Sequence, residues 1–267
     1  MGAVLERQRV NVKHLTVDLP VGRINFDYPI EFLLDGWQKY KDQSLGLLGD
    51  EKGYLKCAAE LAVLTGLTGR RLKFGDGKEL LENISFVRQK NRTDSSEFVR
   101  LAANFKLLFP EDMEKLKLDE QAWQVAAFAC AQGGFTTYLE NAFYTKILFP
   151  ENFGEAGYDS KWGFFKQEID DLVKNRQALS LYPWFAARVR IVFPEHWNEV
   201  KPSTSDLQRF SDYTKGLLFH GIVDSLFHIN IMLAEEVIVD EEGLKLIKPE
   251  PIFGTGEAPI LPQVRRF

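Results

Sequence analysis

Seven cationic and aromatic residues are the strongest candidates for binding chemistry in this sequence. They fall at matching places of three successive segments, so we expect them to form one ridge on the folded surface. They are Arg100, Lys106, Tyr144, Lys146, Trp184, Arg188 and Arg190. Guanidinium and ammonium groups pair with carboxylates or phosphates, and aromatic rings stack on planar groups. The pattern predicts a binding ridge; the alternative is a solvated helix face whose cations pair with neighbouring glutamates.

A second group has the spacing of metal ligands: His220, Asp224 and His228. Residues four apart lie on one face of a helix, and imidazole and carboxylate groups are zinc ligands. Three ligands on one helix rarely all reach one ion. We therefore interpret these residues as polar surface or as hydrogen-bonding groups between segments, and we predict no metal or other cofactor. A helical enzyme or metal protein centred on them is kept as an alternative.

No complete catalytic motif is present in the sequence. The stretch from Lys73 to Lys78 contains glycines and lysines but lacks the spacing of a phosphate-binding loop. Neither a Gly-x-Ser-x-Gly nor a His-Glu-x-x-His pattern occurs. The sequence therefore predicts a protein that is not an enzyme.

A four-residue motif sets the frame in which the candidate residues lie. It occurs at Leu108 to Glu111, at Leu148 to Glu151 and at Val192 to Glu195, each time with the pattern Leu/Val-Phe-Pro-Glu. Because proline cannot donate the next helical hydrogen bond but suits a first helical position, one helix should end at each motif and a short turn should begin there. Fainter copies end at Gly66 and Glu235, which gives a period of 40 to 45 residues. This period suits two helices per unit.

The second helix of each unit should begin at a capping residue. The candidates are Asp119, then Asp159 or Ser160, then Ser203 or Ser205, with a start near Gly77 in the first unit. In the last unit Val237 to Asp240 has the alternation of an extended segment instead. Terminal units are expected to be atypical because one of their faces meets water.

The motif, its period and its helix pairs resemble HEAT and armadillo repeat proteins over residues 53 to 246. The Leu-Phe-Pro-Glu unit and its variant Ala234-Glu235-Glu236-Val237 are also similar to those of uncharacterised helical-repeat proteins from bacteria with reduced genomes. This resemblance implies a fold and no activity. We predict an all-α fold, an α-solenoid of about five helix pairs.

Three regions follow from this organisation. Residues 1–52 should form an extended N-terminal arm and capping segment, since Val10 to Val12 and Leu15 to Leu19 alternate apolar and polar residues. Residues 53–248 should form the helical-repeat domain. Residues 249–267, rich in proline and glycine, should form an extended tail. The arm and the tail are expected either to pack along their own solenoid or to reach a neighbouring molecule.

The composition excludes several classes of protein. The chain has 267 residues, 45% of them hydrophobic, which excludes disorder of the whole chain. Its net charge of -5 gives no overall attraction to nucleic acid or anionic membranes. The two cysteines, Cys57 and Cys130, are expected to be reduced core residues. Because the first residues are charged and no segment has the length of a membrane span, we expect a cytoplasmic protein.

These observations together predict a non-catalytic scaffold or adaptor. Its partner would be a protein or peptide that binds along the basic and aromatic ridge. Nucleic-acid binding by the same ridge is the first alternative. Self-assembly into a homo-oligomer through the arm or the tail is the second.

Overall fold

The structure is a computed structural model that describes ten stretches of the chain: residues 16–19, 22–25, 33–37, 51–66, 77–89, 94–155, 161–175, 178–214, 216–241 and 243–247. Its helices are α1 (33–37), α2 (Glu51–Gly66), α3 (Lys78–Gln89), α4 (Ser95–Leu108), α5 (Glu120–Cys130), α6 (Phe135–Leu148), α7 (Pro150–Glu155), α8 (Lys161–Phe164), α9 (Lys166–Lys174), α10 (Leu181–Val192), α11 (Trp197–Val200), α12 (Thr204–Thr214) and α13 (Phe219–Leu233). Two 3-10 segments span Pro110–Leu116 and Pro194–His196, and four strands are β1 (Thr16–Leu19), β2 (Gly22–Asn25), β3 (Glu236–Asp240) and β4 (Gly243–Ile247).

The three motif copies have the same local structure, as predicted. Phe109, Phe149 and Phe193 follow the last residues of α4, α6 and α10, with φ of -129, -130 and -127° and ψ of 59, 64 and 61°. Each donates its N–H to the carbonyl four residues back at 2.8 Å. The proline after each phenylalanine then opens a short helical segment. The predicted ends of these helices are therefore confirmed.

The predicted caps are confirmed where they lie in described residues. Asp119 precedes α5 and accepts a hydrogen bond from the Ala122 N–H at 2.9 Å. Ser203 precedes α12, and its hydroxyl accepts from the Asp206 N–H at 3.2 Å while the Asp206 carboxylate accepts from the Ser203 N–H at 3.0 Å. This reciprocal pair has the logic of a capping box. Asp159 and Ser160 lie outside the described residues.

Five of the helices pack in an order that closes into a ring: α2, α4, α6, α10 and α13, with α13 packed against α2 again. We call these the inner helices. They run parallel, because residues near their starts meet one another and residues near their ends do the same. Lys56 Nζ of α2 donates to Asp224 Oδ1 of α13 at 2.5 Å, and each is the sixth residue of its helix. Arg190 donates to the Ile231 carbonyl at 2.8 Å near the ends of α10 and α13.

The helical class is as expected, and the ring adds a feature that the predicted α-solenoid did not specify. The first and last inner helices are neighbours, a contact that an open array of units would lack. Other helices pack outside the ring, among them α3 on α4, α5 between α4 and α6, and α12 on α13. The buried core is continuous and runs through the ring and its outer helices.

Two hairpins complete the described structure. Strands β1 and β2 pair antiparallel with Thr16 opposite Asn25, which confirms the extended character of Leu15 to Leu19 in part. Strands β3 and β4 pair antiparallel with Glu236 opposite Ile247, which confirms the extended Val237 to Asp240 segment. The second hairpin packs on α4, α6, α7 and α10. The predicted strand at Val10 to Val12 and the tail at 249–267 lie outside the described residues.

Both cysteines are buried and free, as expected. Among the described helices, none combines the length and the apolar character that crossing a lipid bilayer requires.

Candidate functional site

Two layers of side chains lie at the same height on all five inner helices. The floor residues stand seven positions before the end of each motif copy and are all buried: Ala59, Asn104, Tyr144, Arg188 and His228. The mouth residues stand one helical turn earlier and are all half-buried: Leu55, Arg100, Glu140, Trp184 and Asp224. Because the two sets are four residues apart, they share one helix face. With helix spacings of about 8–10 Å, the centre of a five-membered ring is about 7–9 Å from each axis, within reach of long side chains.

An ionic network joins the first and last inner helices at the floor and the mouth. Lys56 of α2 donates to Asp224 Oδ1 of α13 at 2.5 Å, and its Nζ lies 3.6 Å from Glu60 Oε1. Asp224 Oδ2 lies 3.6 Å from His228 Nδ1, and His228 Nε2 lies 2.8 Å from Arg188 Nη1. The network links residues 168 positions apart in the sequence, and it sits at the contact that closes the ring.

The hydrogen bond to Arg188 fixes the protonation of His228. A guanidinium group can only donate, so His228 Nε2 must accept and the ring proton must be on Nδ1, facing Asp224. Burial lowers the pKa of His228 to about 3; Asp224 raises it, and Arg188 and Lys56 lower it further. The imidazole is therefore neutral at physiological pH and does not neutralise Arg188.

Arg188 is a buried cation without a carboxylate partner. Its side chain is packed between two rings, with the guanidinium carbon 4.4 Å from the Trp184 centroid and 4.8 Å from the Phe143 centroid, and the residue is only 1% exposed. Among the described residues, no carboxylate oxygen lies within 4.0 Å of it, and its Nε has no hydrogen-bond partner. Buried charges are normally paired, so this arginine is an exception that calls for an explanation.

The carboxyl groups of the network are held in opposite protonation states. Burial raises the pKa of Glu60 to about 8; Lys56 lowers it, and Asp224 raises it through its charge and a hydrogen bond. Burial also raises the pKa of Asp224, but His228, Lys56 and Arg188 lower it by more, so it lies below its usual range. Burial lowers the pKa of Lys56, while Glu60 and Asp224 raise it by more. At neutral pH Glu60 keeps its proton, Asp224 is ionised and Lys56 is charged.

Two of the three residues proposed in the metal alternative lie close together. Asp224 and His228 are neighbours, whereas His220 is exposed at the start of α13 and Glu60 stands in the third place, with one possible ligand atom of each within 4.8 Å of the others. The chemistry of the group does not suit an ion. A metal facing Asp224 needs the Nδ1 lone pair of His228, which carries the proton, and the Lys56 ammonium already supplies the positive charge.

The structure divides the seven predicted binding residues between two ends of the ring. Tyr144 and Arg188 belong to the floor, and Arg100 and Trp184 belong to the mouth. Arg100 Nη2 also lies 3.6 Å from Glu97 Oε1. These four residues remain a candidate binding group, although Tyr144 and Arg188 are buried and not part of a solvent-facing ridge.

The other three, Lys106, Lys146 and Arg190, lie near the C-terminal ends of the inner helices. Lys106 is buried and donates to the Asp240 carbonyl at 3.0 Å. Lys146 Nζ lies 5.5 Å from the Phe153 ring centroid. Arg190 donates to four carbonyls at the end of α13 and after it, namely those of Ile231, Met232, Ala234 and Glu235. Lys106 and Arg190 therefore donate to backbone carbonyls and not to the side chains of motif glutamates, and Arg190 also lies 5.1 Å from the Trp197 ring centroid. These three residues do not share a surface with the floor and mouth residues.

Lys56 and Glu60 belong to the network but were not among the residues predicted from the sequence. Their signal is visible in the sequence: a lysine and a glutamate four residues apart flank Cys57, Ala58 and Ala59 in an otherwise apolar helix. Charged residues that are fully surrounded by apolar neighbours on a core helix need partners from another element.

Comparison with known proteins gives no guide to this site. The chain matches no protein-family model, and neither curated proteins nor solved structures include a similar one. Its chemistry must therefore be argued from the residues themselves.

Proposed function

We propose that the protein is a non-catalytic binding protein that holds a segment of another protein at the mouth of the helical ring. The observation that carries the proposal is a set of three large apolar side chains that are exposed near the starts of inner helices, which we call the rim. The rim consists of Phe164, Leu181 and Leu218, which are 77%, 40% and 74% exposed. Large apolar side chains of this exposure that cluster at one place mark interaction surfaces more often than isolated ones do.

Two of the rim residues lie at the starts of consecutive inner helices, and the third is linked by two ring contacts to the start of α6. Leu181 is the first residue of α10 and Leu218 immediately precedes α13. Phe164 packs edge-on against Phe165 at 4.9 Å, and Phe165 packs against Phe135, the first residue of α6, at 5.1 Å. The rim therefore borders the side of the ring where Trp184 and Asp224 are half-buried.

The environment inside the rim favours a protein partner over nucleic acid. Trp184 and Arg188 form a stacked pair beneath the rim, an arrangement common at the centres of protein interfaces. A nucleic-acid backbone requires exposed cations in a row. Lys106 and Arg188 are buried, and Arg190 is occupied by carbonyl groups, so these cations do not provide one.

A photo-crosslinking experiment in the native cell tests the proposal. A photoreactive phenylalanine analogue replaces Phe164 or Leu218 in two variants, and Phe86 or Ile247 in two controls that are also exposed, at 58% and 42%, but lie on α3 and at the end of β4. We expect one defined protein to be captured from both rim positions and from neither control. Leu218→Asp should abolish that adduct, whereas Phe86→Asp should leave it unchanged.

Two outcomes would contradict this function. Equal capture from rim and control positions would show that the rim is not special. Capture of a second copy of this chain from the rim positions would show that the rim serves self-assembly and not the binding of a different protein.

A further inference from the structure

The unpaired guanidinium group inside the ring identifies the chemistry of what the mouth receives. We propose that Arg188 is the receptor for a single carboxylate group, supplied by an aspartate or glutamate side chain of the bound protein segment. This inference deepens the proposed function and rests on it for the source of the carboxylate. The recognition chemistry itself depends only on residues of this chain.

One edge of the Arg188 guanidinium group has no partner among the described residues. One terminal nitrogen, Nη1, is used by His228 at 2.8 Å, and Nε has no partner among the described residues. The face of the guanidinium group is covered by Trp184 and Phe143. What is left is the edge that contains Nε, and an arginine edge is the part that binds a carboxylate through two parallel hydrogen bonds.

A further orphan donor lies in the same layer. Asn104, also a floor residue, is 2% exposed, and its Nδ2 has no hydrogen-bond partner in the described part of the chain. Both orphan atoms are N–H donors, so a group that satisfied either of them would be an acceptor. The fifth floor residue, Ala59, has a small side chain. It therefore fills less of the ring centre than a large residue at that position would.

The charge balance around Arg188 is positive. The groups that interact electrostatically with it are Lys56 and Glu60 on α2, Tyr144 on α6, and Asp224 and His228 on α13. With Glu60 protonated and Tyr144 and His228 neutral, the two cations, Lys56 and Arg188, exceed the single ionised carboxylate, Asp224, by one. Of the charged mouth residues, Arg100 lies 3.6 Å from Glu97, and Glu140 interacts with Tyr144. An entering carboxylate restores neutrality around the arginine.

Glu60 makes the site sensitive to pH. When Glu60 loses its proton, the positive excess disappears and the site no longer favours an anion. Carboxylate binding should therefore be strong below the pKa of Glu60, which burial raises to about 8, and weaker above it. Adding one charge to a partly buried site, one or two side-chain lengths from the bound carboxylate, changes the affinity for that carboxylate by about tenfold.

The test uses the purified protein alone, with formate and acetate as probes. The Nε–H signal of Arg188 in a proton–nitrogen correlation spectrum, assigned by its loss in Arg188→Lys, is followed as each salt is added up to about 100 mM, since a single small group binds weakly. We expect a saturable shift of this signal with formate and acetate but not with chloride. The Arg190 signal is the internal control, because that side chain already has carbonyl partners.

The pH arm repeats the titration at pH 6.5 and 9. Affinity should fall about tenfold in the wild type, and in Glu60→Gln, which stays neutral, it should not fall. A signal that does not respond, or that responds equally to chloride, would overturn the proposal and leave Arg188 as a structural residue with resident water. Because no partner is present, failure here would leave docking on the rim untouched, and failure of the rim crosslinks would leave the carboxylate site untouched.

Discussion

Replacing Glu60 by glutamine should change how the stability of the protein depends on pH. Glu60 is 5% exposed, and burial raises its pKa from 4.5 to about 8, with Lys56 opposing and Asp224 adding to the rise. Between these two values the folded protein keeps a proton on Glu60 that the unfolded chain has released. The folded state therefore binds more protons, and its stability falls as the pH rises across this window. Glutamine has the same size and no proton to lose, so the variant lacks this contribution.

The window from pH 6.5 to 8 isolates Glu60 from its neighbours. Burial lowers the pKa of His228 to about 3, so the unfolded chain takes up a proton there only below about pH 6.5, with an effect of opposite sign. Burial lowers the pKa of Lys106 to about 8, although Asp240 and Glu241 raise it. Lys106 therefore changes the stability of the protein with pH only above that value. Between pH 6.5 and 8 the free energy of unfolding of the wild type should fall by about 1.4 kcal/mol per pH unit. Over these 1.5 units Glu60 should therefore lower the stability of the wild type by about 2 kcal/mol.

Urea unfolding at four pH values, followed by circular dichroism, measures this difference. The stability of Glu60→Gln relative to the wild type should rise by about 2 kcal/mol between pH 6.5 and 8. The control is Glu111→Gln, because Glu111 is exposed, and its stability should parallel that of the wild type throughout. Parallel curves for Glu60→Gln and the wild type would show that Glu60 is not held protonated, and the argument for an excess positive charge at Arg188 would fail with it.

Two further substitutions test other parts of the structure. Gly77 has a φ of +63°, and an added Cβ would lie 2.9 Å from ring atoms of both Phe105 and Phe109. Gly77→Ala should therefore lower stability by about 1–3 kcal/mol. At Gly163 an added Cβ would meet nothing within 4 Å, so Gly163→Ala should change stability by less than about 0.5 kcal/mol. Equal effects would refute that backbone requirement. Arg190→Lys should cost about 1–3 kcal/mol in urea unfolding because one ammonium cannot reach the four carbonyls that the guanidinium group binds, and the exposed Arg209→Lys serves as its control. Unchanged stability of Arg190→Lys would show that Arg190 does not hold the end of α13.

The sequence predicted the local structure well because the rules involved are local. Phe109 and Phe193 end their helices because a proline follows each of them, and Asp119 caps α5 because its carboxylate reaches an N–H three residues on. Val237 to Asp240 was also predicted to be extended, and it lies in β3. None of these features depends on how the helices meet.

Ring closure could not be predicted because it depends on the angle between successive helices. The period of 40 to 45 residues between motif copies is equally compatible with an open array and with a closed ring. The deciding contacts join Lys56 to Asp224, far apart in the sequence. No pattern of the unit itself specifies them.

Helical geometry separates the seven residues that were predicted to form one ridge. Lys106 and Asn104 are two residues apart, and two residues turn a helix by about 200°, so their side chains leave nearly opposite sides of α4. The same holds for Arg190 and Arg188 on α10. The residue types at these positions are alike and do not distinguish the two pairs. Asn104 and Arg188 face the ring centre, whereas Lys106 and Arg190 contact the carbonyls beyond the helix ends.

The most direct test of the account is a double-mutant cycle between Lys56 and Asp224. The two side chains lie on the first and last inner helices, are each 32% exposed and are joined at 2.5 Å only because the ring is closed. From the unfolding free energies of Lys56→Met, Asp224→Asn and the double variant, we expect a coupling energy of about 1–2 kcal/mol. The exposed pair Lys245 and Asp240, within one hairpin, is the reference for an ordinary surface contact. A coupling no larger than that of the reference pair would contradict the half-buried contact between α2 and α13 on which the ring, its floor and its mouth depend.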